Sequence, residues 1–278
     1  MHADTSLINV DFVDRQLWSR ILSEAEKASV QDIFMAPILM TCIKDARDLP
    51  GAIIGRIAGL LSSPQPSASL HTALHALLDE DTRILSAAAF DLVAVLERDP
   101  ATTRALHVVL HAKGFLALQT HRFANALWKS GRTEFALYLQ GCASRVFQVD
   151  IHPAARLGVG IFLDHATGIV IGETSIVEDN VSILQNVTLG GTGKETGERH
   201  PKVRSGVLIG AGASILGKIE IGANARIGAG SVVLKPVTRG TTVAGVPARV
   251  VRQDRSSEPS RTMDQVFDEG KPLYDVGL

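Results

Sequence analysis

From Ile151 onward an apolar residue returns at every sixth position, a spacing that few folds can use. The first run is Ile151, Leu157, Leu163 and Ile169; the second is Ile171, Val177, Ile183 and Leu189; the third is Ile209, Ile215, Ile221, Ile227 and Val233. An α-helix repeats every ~3.6 residues and a strand every ~2, so neither sustains this period. A solenoid does. If six residues make one flat face and a corner, every sixth side chain points into a shared interior, and stacked coils share one apolar column. Gly172, Gly190, Gly210, Gly222 and Gly228 each follow an inward position, where the chain must turn. The phase slips by two between Ile169 and Ile171, and again between Leu189 and Ile209. The second slip contains Gly190 to His200, polar and rich in glycine, which reads as a loop thrown out of the solenoid.

The residues before this region have a different period. Leu17 with Ile21, Leu70 with Leu74, Leu77 and Leu78, and Ile84, Leu85, Leu92 and Leu96 lie at helical spacing. Pro50-Gly51 and the stretch Ser62 to Ser67 interrupt the pattern, and Asp99-Pro100 reads as an N-cap followed by proline in the first turn. A further helix is expected around Thr133 to Leu139, leading through Val146-Phe147-Gln148-Val149 into the first coil. The fold class predicted is α+β: an N-terminal α-helical bundle over 1–148, a parallel β-helix over 149–250 with an excursion loop at 190–205, and a flexible polar tail over 251–278.

A chain of 278 residues has room for both parts, and its net charge of −1 gives no argument for nucleic acid or an anionic membrane surface. Cys42 and Cys142 form no CxxC pair and read as buried thiols of a reducing compartment. The start lacks a signal peptide's basic and apolar segments, and no uncharged apolar run approaches the ~20 residues of a membrane span, so the expected location is the cytoplasm.

Three histidines, His152, His165 and His200, fall in or beside the solenoid with polar neighbours. Asp150 precedes His165 by almost one coil, and coils stack ~4.8 Å apart, so the carboxylate can reach the ring and orient it as a general base. The plainer reading makes Asp150 a turn aspartate, Asp99 an ordinary cap and Arg199-His200 a solvated pair. Gly193-Lys194 is not a phosphate loop, because Thr188 stands where the first glycine is needed and Glu195 follows the lysine. Gly210-Ala211-Gly212 and Gly228-Ala229-Gly230 belong to the repeat rather than to a dinucleotide site.

The strings Val149 to Ala155, Leu163 to Gly168, Gly190 to Lys194, Arg199 to Lys202 and Ala244 to Ala248, with Arg98 to Ala101 and Lys113 to Phe115 in the helical part, resemble the serine O-acetyltransferase family over nearly the whole chain. The resemblance implies a left-handed β-helix, trimers pairing through their helical domains into hexamers, and an active site in the cleft between neighbouring solenoids. It implies His165 as catalytic base with Asp150 as its partner, Asp99 and Asp164 holding the serine ammonium, and Arg199 and His200 receiving the carboxylate. Acetyl-CoA, a cosubstrate rather than a permanently bound cofactor, would run past Gly191, Ala211 and Ala229, and no metal is implied. L-cysteine is implied as feedback inhibitor, and the C-terminal tail as the segment that binds O-acetylserine sulfhydrylase. The family's usual terminal isoleucine is Leu278 here.

Three other functions fit parts of the pattern. A sugar or antibiotic acetyltransferase would share the repeats but leave Asp99, Asp164 and Arg199 without a common purpose. A zinc hydratase would need His152, His165 and His200 to converge. A non-catalytic scaffold would act through its tail alone.

Overall fold

The computed structural model describes residues 10–62, 67–193, 196–253, 258–268 and 271–272. Its helical part comprises α1 (Val10–Gln31), α2 (Ala36–Leu39), α3 (Leu49–Leu61), α4 (Ser67–Glu80), α5 (Ala88–Arg98), α6 (Ala105–His111), α7 (Lys113–Lys129) and α8 (Thr133–Phe147). Asp48 caps α3 by accepting from the Gly51 amide at 2.8 Å, with Pro50 in the first turn where its missing N–H costs nothing. Asp99 behaves differently from its expected role. It ends α5 rather than starting a helix, accepting from Ala101 N at 2.9 Å and Thr102 Oγ1 at 2.6 Å, and the next helix begins only at Ala105. A turn capped by aspartate and an N-cap share the same side-chain chemistry, so the Asp-Pro pair alone could not separate them. Helix α8 also runs further than its apolar spacing indicated, to Phe147, where Gln148 at φ 57° turns the chain into the first strand.

Beyond Gln148 three parallel sheets form the sides of a left-handed β-helix. One stacks Val149–Ile151, Ile169–Ile171, Thr188–Gly190, Ser214–Leu216 and Val232–Val233. The second stacks Arg156–Leu157, Ile176–Val177, Lys202–Val203 and Glu220–Ile221. The third runs from Phe162–Leu163 through Ser182–Ile183, Leu208–Ile209 and Arg226–Ile227 to the closing hairpin of Thr241–Gly245 and Ala248–Gln253. The period-six residues pair in register, Ile151 with Ile171, Ile171 with Leu189, and Leu189 with Ile215.

The phase slips acquire definite places. Ile169 and Ile171 are alternate residues of one strand, both buried, with Val170 outward between them. The first coil's surplus lies in the corner 164–168, where His165 and Ala166 adopt φ values of 52° and 61°. The second surplus falls between Leu189 and Val203, the loop expected there.

Helices and solenoid share one continuous apolar core, joined by buried polar bonds. Asp91, wholly buried on α5, accepts from Gln119, from Arg122 at 2.6 Å and from the Ile161 amide at 3.0 Å, fastening α5 and α7 to the first coil. Arg98 reaches Ser182 Oγ at 3.1 Å and Asn180 Oδ1 at 3.3 Å.

The polar segment after residue 250, expected to be mobile, is docked where it is described. Helix α9 (Pro259–Thr262) places Ser260 against the first coils, where its carbonyl accepts from Ser182 Oγ at 2.8 Å, and Asp264 pairs with Arg226 at 3.1 Å. Its anchors are a backbone carbonyl and an ion pair, which leave no apolar periodicity in the sequence. The terminal stretch Tyr274 to Leu278 lies outside the described residues.

Candidate active site

The first cluster is built where α7 meets the solenoid. A Cβ on Gly114 would lie 2.1 Å from the carbonyl oxygen of Leu163 and 3.1 Å from the Cβ of Ala166, so glycine lets the helix start sit directly on the corner. Lys113 Nζ bonds Thr167 Oγ1 of the same corner. Asp164 is held there with 23% of its side chain exposed, while His165 projects outward with 75% exposed, its Nε2 3.9 Å from Asp164 Oδ1. Burial raises the pKa of Asp164, His165 pulls it back, and the charge of Asp99 pushes it up again. This corner therefore presents a projecting imidazole beside two acids.

The same corner recurs in every coil. Asn186 N donates to Thr167 O at 2.7 Å, Gly212 N to Gln185 O at 2.9 Å and Gly230 N to Ala211 O at 2.8 Å, so Thr167, Gln185, Ala211 and Ala229 form a column beginning at His165. Ala211 and Ala229 have small, half-buried side chains, so nothing bulky projects from the column at these levels.

The second cluster occupies the next corner. His200 is 7% exposed; its Nδ1 accepts from the Thr174 amide at 3.1 Å and lies 2.9 Å from Thr174 Oγ1, which fixes the neutral ring with its proton on Nε2. Burial lowers the pKa of His200, and Arg199 adds to the effect. Arg199 Nη2 pairs with Glu173 Oε2 at 2.7 Å, which holds the Glu173 carboxyl below its ordinary range. His152 packs edge-on against Trp128, ring centres 5.1 Å apart. Burial lowers its pKa, opposed by the charges of Glu173 and Asp150. Gly191 borders Arg199 here, where an added Cβ would meet its Cγ and Cδ at 3.5 Å, rather than joining the Ala211 column.

Asp150 points outward from the first sheet, and its Oδ1 accepts from Gln140 Nε2 at 2.6 Å. Its charge bears on His152, and it makes no hydrogen bond to His165 within the chain. The chain thus brings Asp99, Asp164 and His165 together, gathers Arg199, His200 and Gly191 elsewhere, and leaves the Asp150–His165 pair unmade. Among the described residues no three His, Cys, Asp or Glu side chains converge to hold a metal, and His165 stands on a different corner from His152 and His200. Glu173 and Thr174 escaped notice in the sequence; a charged-polar pair following Gly172, at the corner that the Arg199-His200 loop later revisits, is the signal that marks them. Gln140 gave none, being one polar residue on a helix.

Stacked six-residue faces, a capping helical bundle and a projecting histidine beside a column of small residues define an acyltransferase of the hexapeptide-repeat class. The family described as serine acetyltransferase, N-terminal, matches residues 17–120, and that described as bacterial transferase hexapeptide (six repeats) matches residues 200–235. Serine acetyltransferase of Haemophilus influenzae is 48% identical over 252 residues, covering 90% of this chain and 94% of that protein. The crystal structure of serine acetyltransferase from Brucella abortus in complex with coenzyme A superposes with a TM-score of 0.85 at 51% identity, covering 88% of this chain and 98% of the other. A serine acetyltransferase structure in complex with cysteine gives a TM-score of 0.89 at 48% identity, covering 91% and 99%. The chain belongs to the serine acetyltransferase family.

Proposed function

We propose that this protein transfers the acetyl group of acetyl-CoA to the hydroxyl of L-serine, giving O-acetyl-L-serine and CoA, the entry into cysteine synthesis from serine. The observation that carries this reading is the juxtaposition of His165 with the Asp99 and Asp164 carboxylates at the head of the Ala211 and Ala229 column. A thioester lying along that column would present its carbonyl at the imidazole, while the two acids hold an ammonium beside it. His165 takes the proton from the serine hydroxyl as the oxygen attacks, and the thiolate of CoA leaves; such assistance is worth about 10² to 10⁴ in rate. Coenzyme A in the Brucella abortus relative supports the cosubstrate, and cysteine in the other supports feedback inhibition at the serine position, a thiol replacing a hydroxyl.

The first cluster offers carboxylates and the second a guanidinium, Arg199, already paired with Glu173, and a zwitterion needs both kinds of group. In our reading the site is closed by a threefold assembly in which the His165 corner of one solenoid faces Asp150, Arg199 and His200 of the next, so that Asp150 orients the imidazole across the cleft. The strongly exposed Val30, Ile33 and Phe34, the last at 86%, supply an apolar patch through which two trimers join as a hexamer. The tail ending at Leu278 is proposed to bind O-acetylserine sulfhydrylase, and the reaction is placed in the cytoplasm. Among the described residues no helix is long and apolar enough to cross a membrane.

The test is a thiol-release assay with acetyl-CoA and serine, galactosides or aminoglycosides as acceptors, repeated with added cysteine. Turnover confined to serine and suppressed by cysteine is the expected result; preference for a sugar or an aminoglycoside would overturn the assignment.

A further inference from the structure

Asp150 is held by one residue that the reaction scheme does not use. Gln140, on the inner side of α8, donates from Nε2 to Asp150 Oδ1 at 2.6 Å, and no other hydrogen bond to this carboxylate occurs among the described residues. The amide comes from a rigid support. Ala136, Leu139 and Cys142 of the same helix are wholly buried, and α8 passes through Gln148 directly into the strand that carries Asp150. A helix and strand joined by a single turning residue keep donor and acceptor in fixed relation. No cation touches Asp150: none of the lysine, arginine or histidine side chains of the described residues forms an ion pair with it.

The choice of a neutral donor has consequences. A lysine or arginine in this place would fix the carboxylate equally well, but would cancel the charge that an imidazolium needs opposite it. A hydrocarbon would leave the carboxylate free to rotate. An amide fixes one oxygen, leaves the charge intact, and leaves the second oxygen, which makes no hydrogen bond among the described residues, available to another partner. We propose that Gln140 is a positioning residue for catalysis, locking one lobe of Asp150 so that the other is presented to the His165 imidazole. This rests on the proposed Asp150–His165 partnership, and Gln140 itself touches neither substrate.

The experiment measures kcat and both KM values for Gln140→Met, which keeps volume and helical preference, and for Gln140→Leu, which keeps helical preference and has no polar group to donate. Each is made alone and in the Asp150→Asn background, with thermal unfolding and oligomer size recorded alongside. In the native background both variants are expected to lower kcat about tenfold, with KM for serine and acetyl-CoA within about twofold of the parent, in keeping with loss of one charge-assisted hydrogen bond. In the Asp150→Asn background they should cost nothing further, because the residue they act through is already disabled. Unchanged kcat in the single variants, or a full additional loss in the Asp150→Asn background, would overturn the proposal. His165→Ala and Asp150→Asn serve as controls. If those two retain turnover, the catalytic reading itself fails; if they lose it while the Gln140 variants do not, only the positioning role fails.

Discussion

The Cδ2–Nε2 side of the His200 ring lies directly against Gly172: a Cβ added to that glycine would sit 2.1 Å from Cδ2 and 2.2 Å from Nε2. No real side chain tolerates such an approach, so glycine is the condition for the ring's position one coil later. Gly172→Ala is therefore expected to push His200 off its bond with Thr174, costing about 1 to 3 kcal/mol of stability. The KM for serine should rise while that for acetyl-CoA stays near the parent value. A serine KM unchanged in the alanine variant would separate His200 from substrate binding.

Arg199 is already engaged, paired with Glu173 and donating to the Gly197 carbonyl at 3.0 Å. Such bonds fix the guanidinium with donors to spare for an incoming carboxylate. Arg199→Ala is expected to raise the serine KM about 10- to 100-fold, the value of a charge-assisted contact, with little change for acetyl-CoA. Equal effects on both substrates in steady-state kinetics would count against a carboxylate clamp.

His165 projects from its corner with most of its surface exposed, so its removal leaves no cavity and no orphaned partner. His165→Ala should keep the parent's oligomer size and unfolding temperature while kcat falls about 10² to 10⁴-fold. Near-normal turnover would mean that another group takes the proton.

The parts of this molecule that repeat were legible in the sequence, and the parts that occur once were not. A column such as Ile151, Ile171, Leu189 and Ile215 announces itself because stacking forces one residue class onto each level. The polar contacts have no such periodicity. Asp99 looked like a cap at a helix start because an aspartate turn uses the same residues at either end of a helix. The docked segment around Ser260 looked loose because a backbone carbonyl serves as its anchor. His165 and Asp150 could be singled out by type and spacing, but their contacts, Asp164 for one and Gln140 for the other, depend on an expanded corner and a helix longer than its apolar pattern.

Asp164 gives a stability test of a functional acid. Burial raises its pKa above the ordinary carboxylate range of about 3.9, so the unfolded chain releases the proton more readily than the native one. Native stability therefore falls as pH rises through the interval between the ordinary and the raised value, and the penalty is complete at neutral pH. Asp164→Asn is expected to unfold at a higher temperature than the parent at pH 7.5, with the difference shrinking toward pH 4, while the serine KM rises. A variant destabilised equally at both pH values would contradict the burial argument.

His121 makes the opposite case, and its consequence lies in acid. The ring is 5% exposed on α7, bonded to the Ala155 carbonyl, and its Nδ1 has no partner among the described residues. Burial, reinforced by Arg122, lowers its pKa from 6.5 to about 3. The native ring thus stays neutral while an unfolded chain takes up a proton below about pH 6.5. The stability this provides is complete above that pH and drains away as pH falls toward 3, by up to about 1.4 kcal/mol per pH unit. His121→Gln keeps a donor for Ala155 but has no proton to gain. Urea unfolding at pH 7.5, 6.5 and 5.5 should show the variant less stable than the parent at the first pH and the gap closing by the last. Curves that stay parallel would mean that the ring takes up its proton as readily in the native protein as in the unfolded chain, against the burial argument.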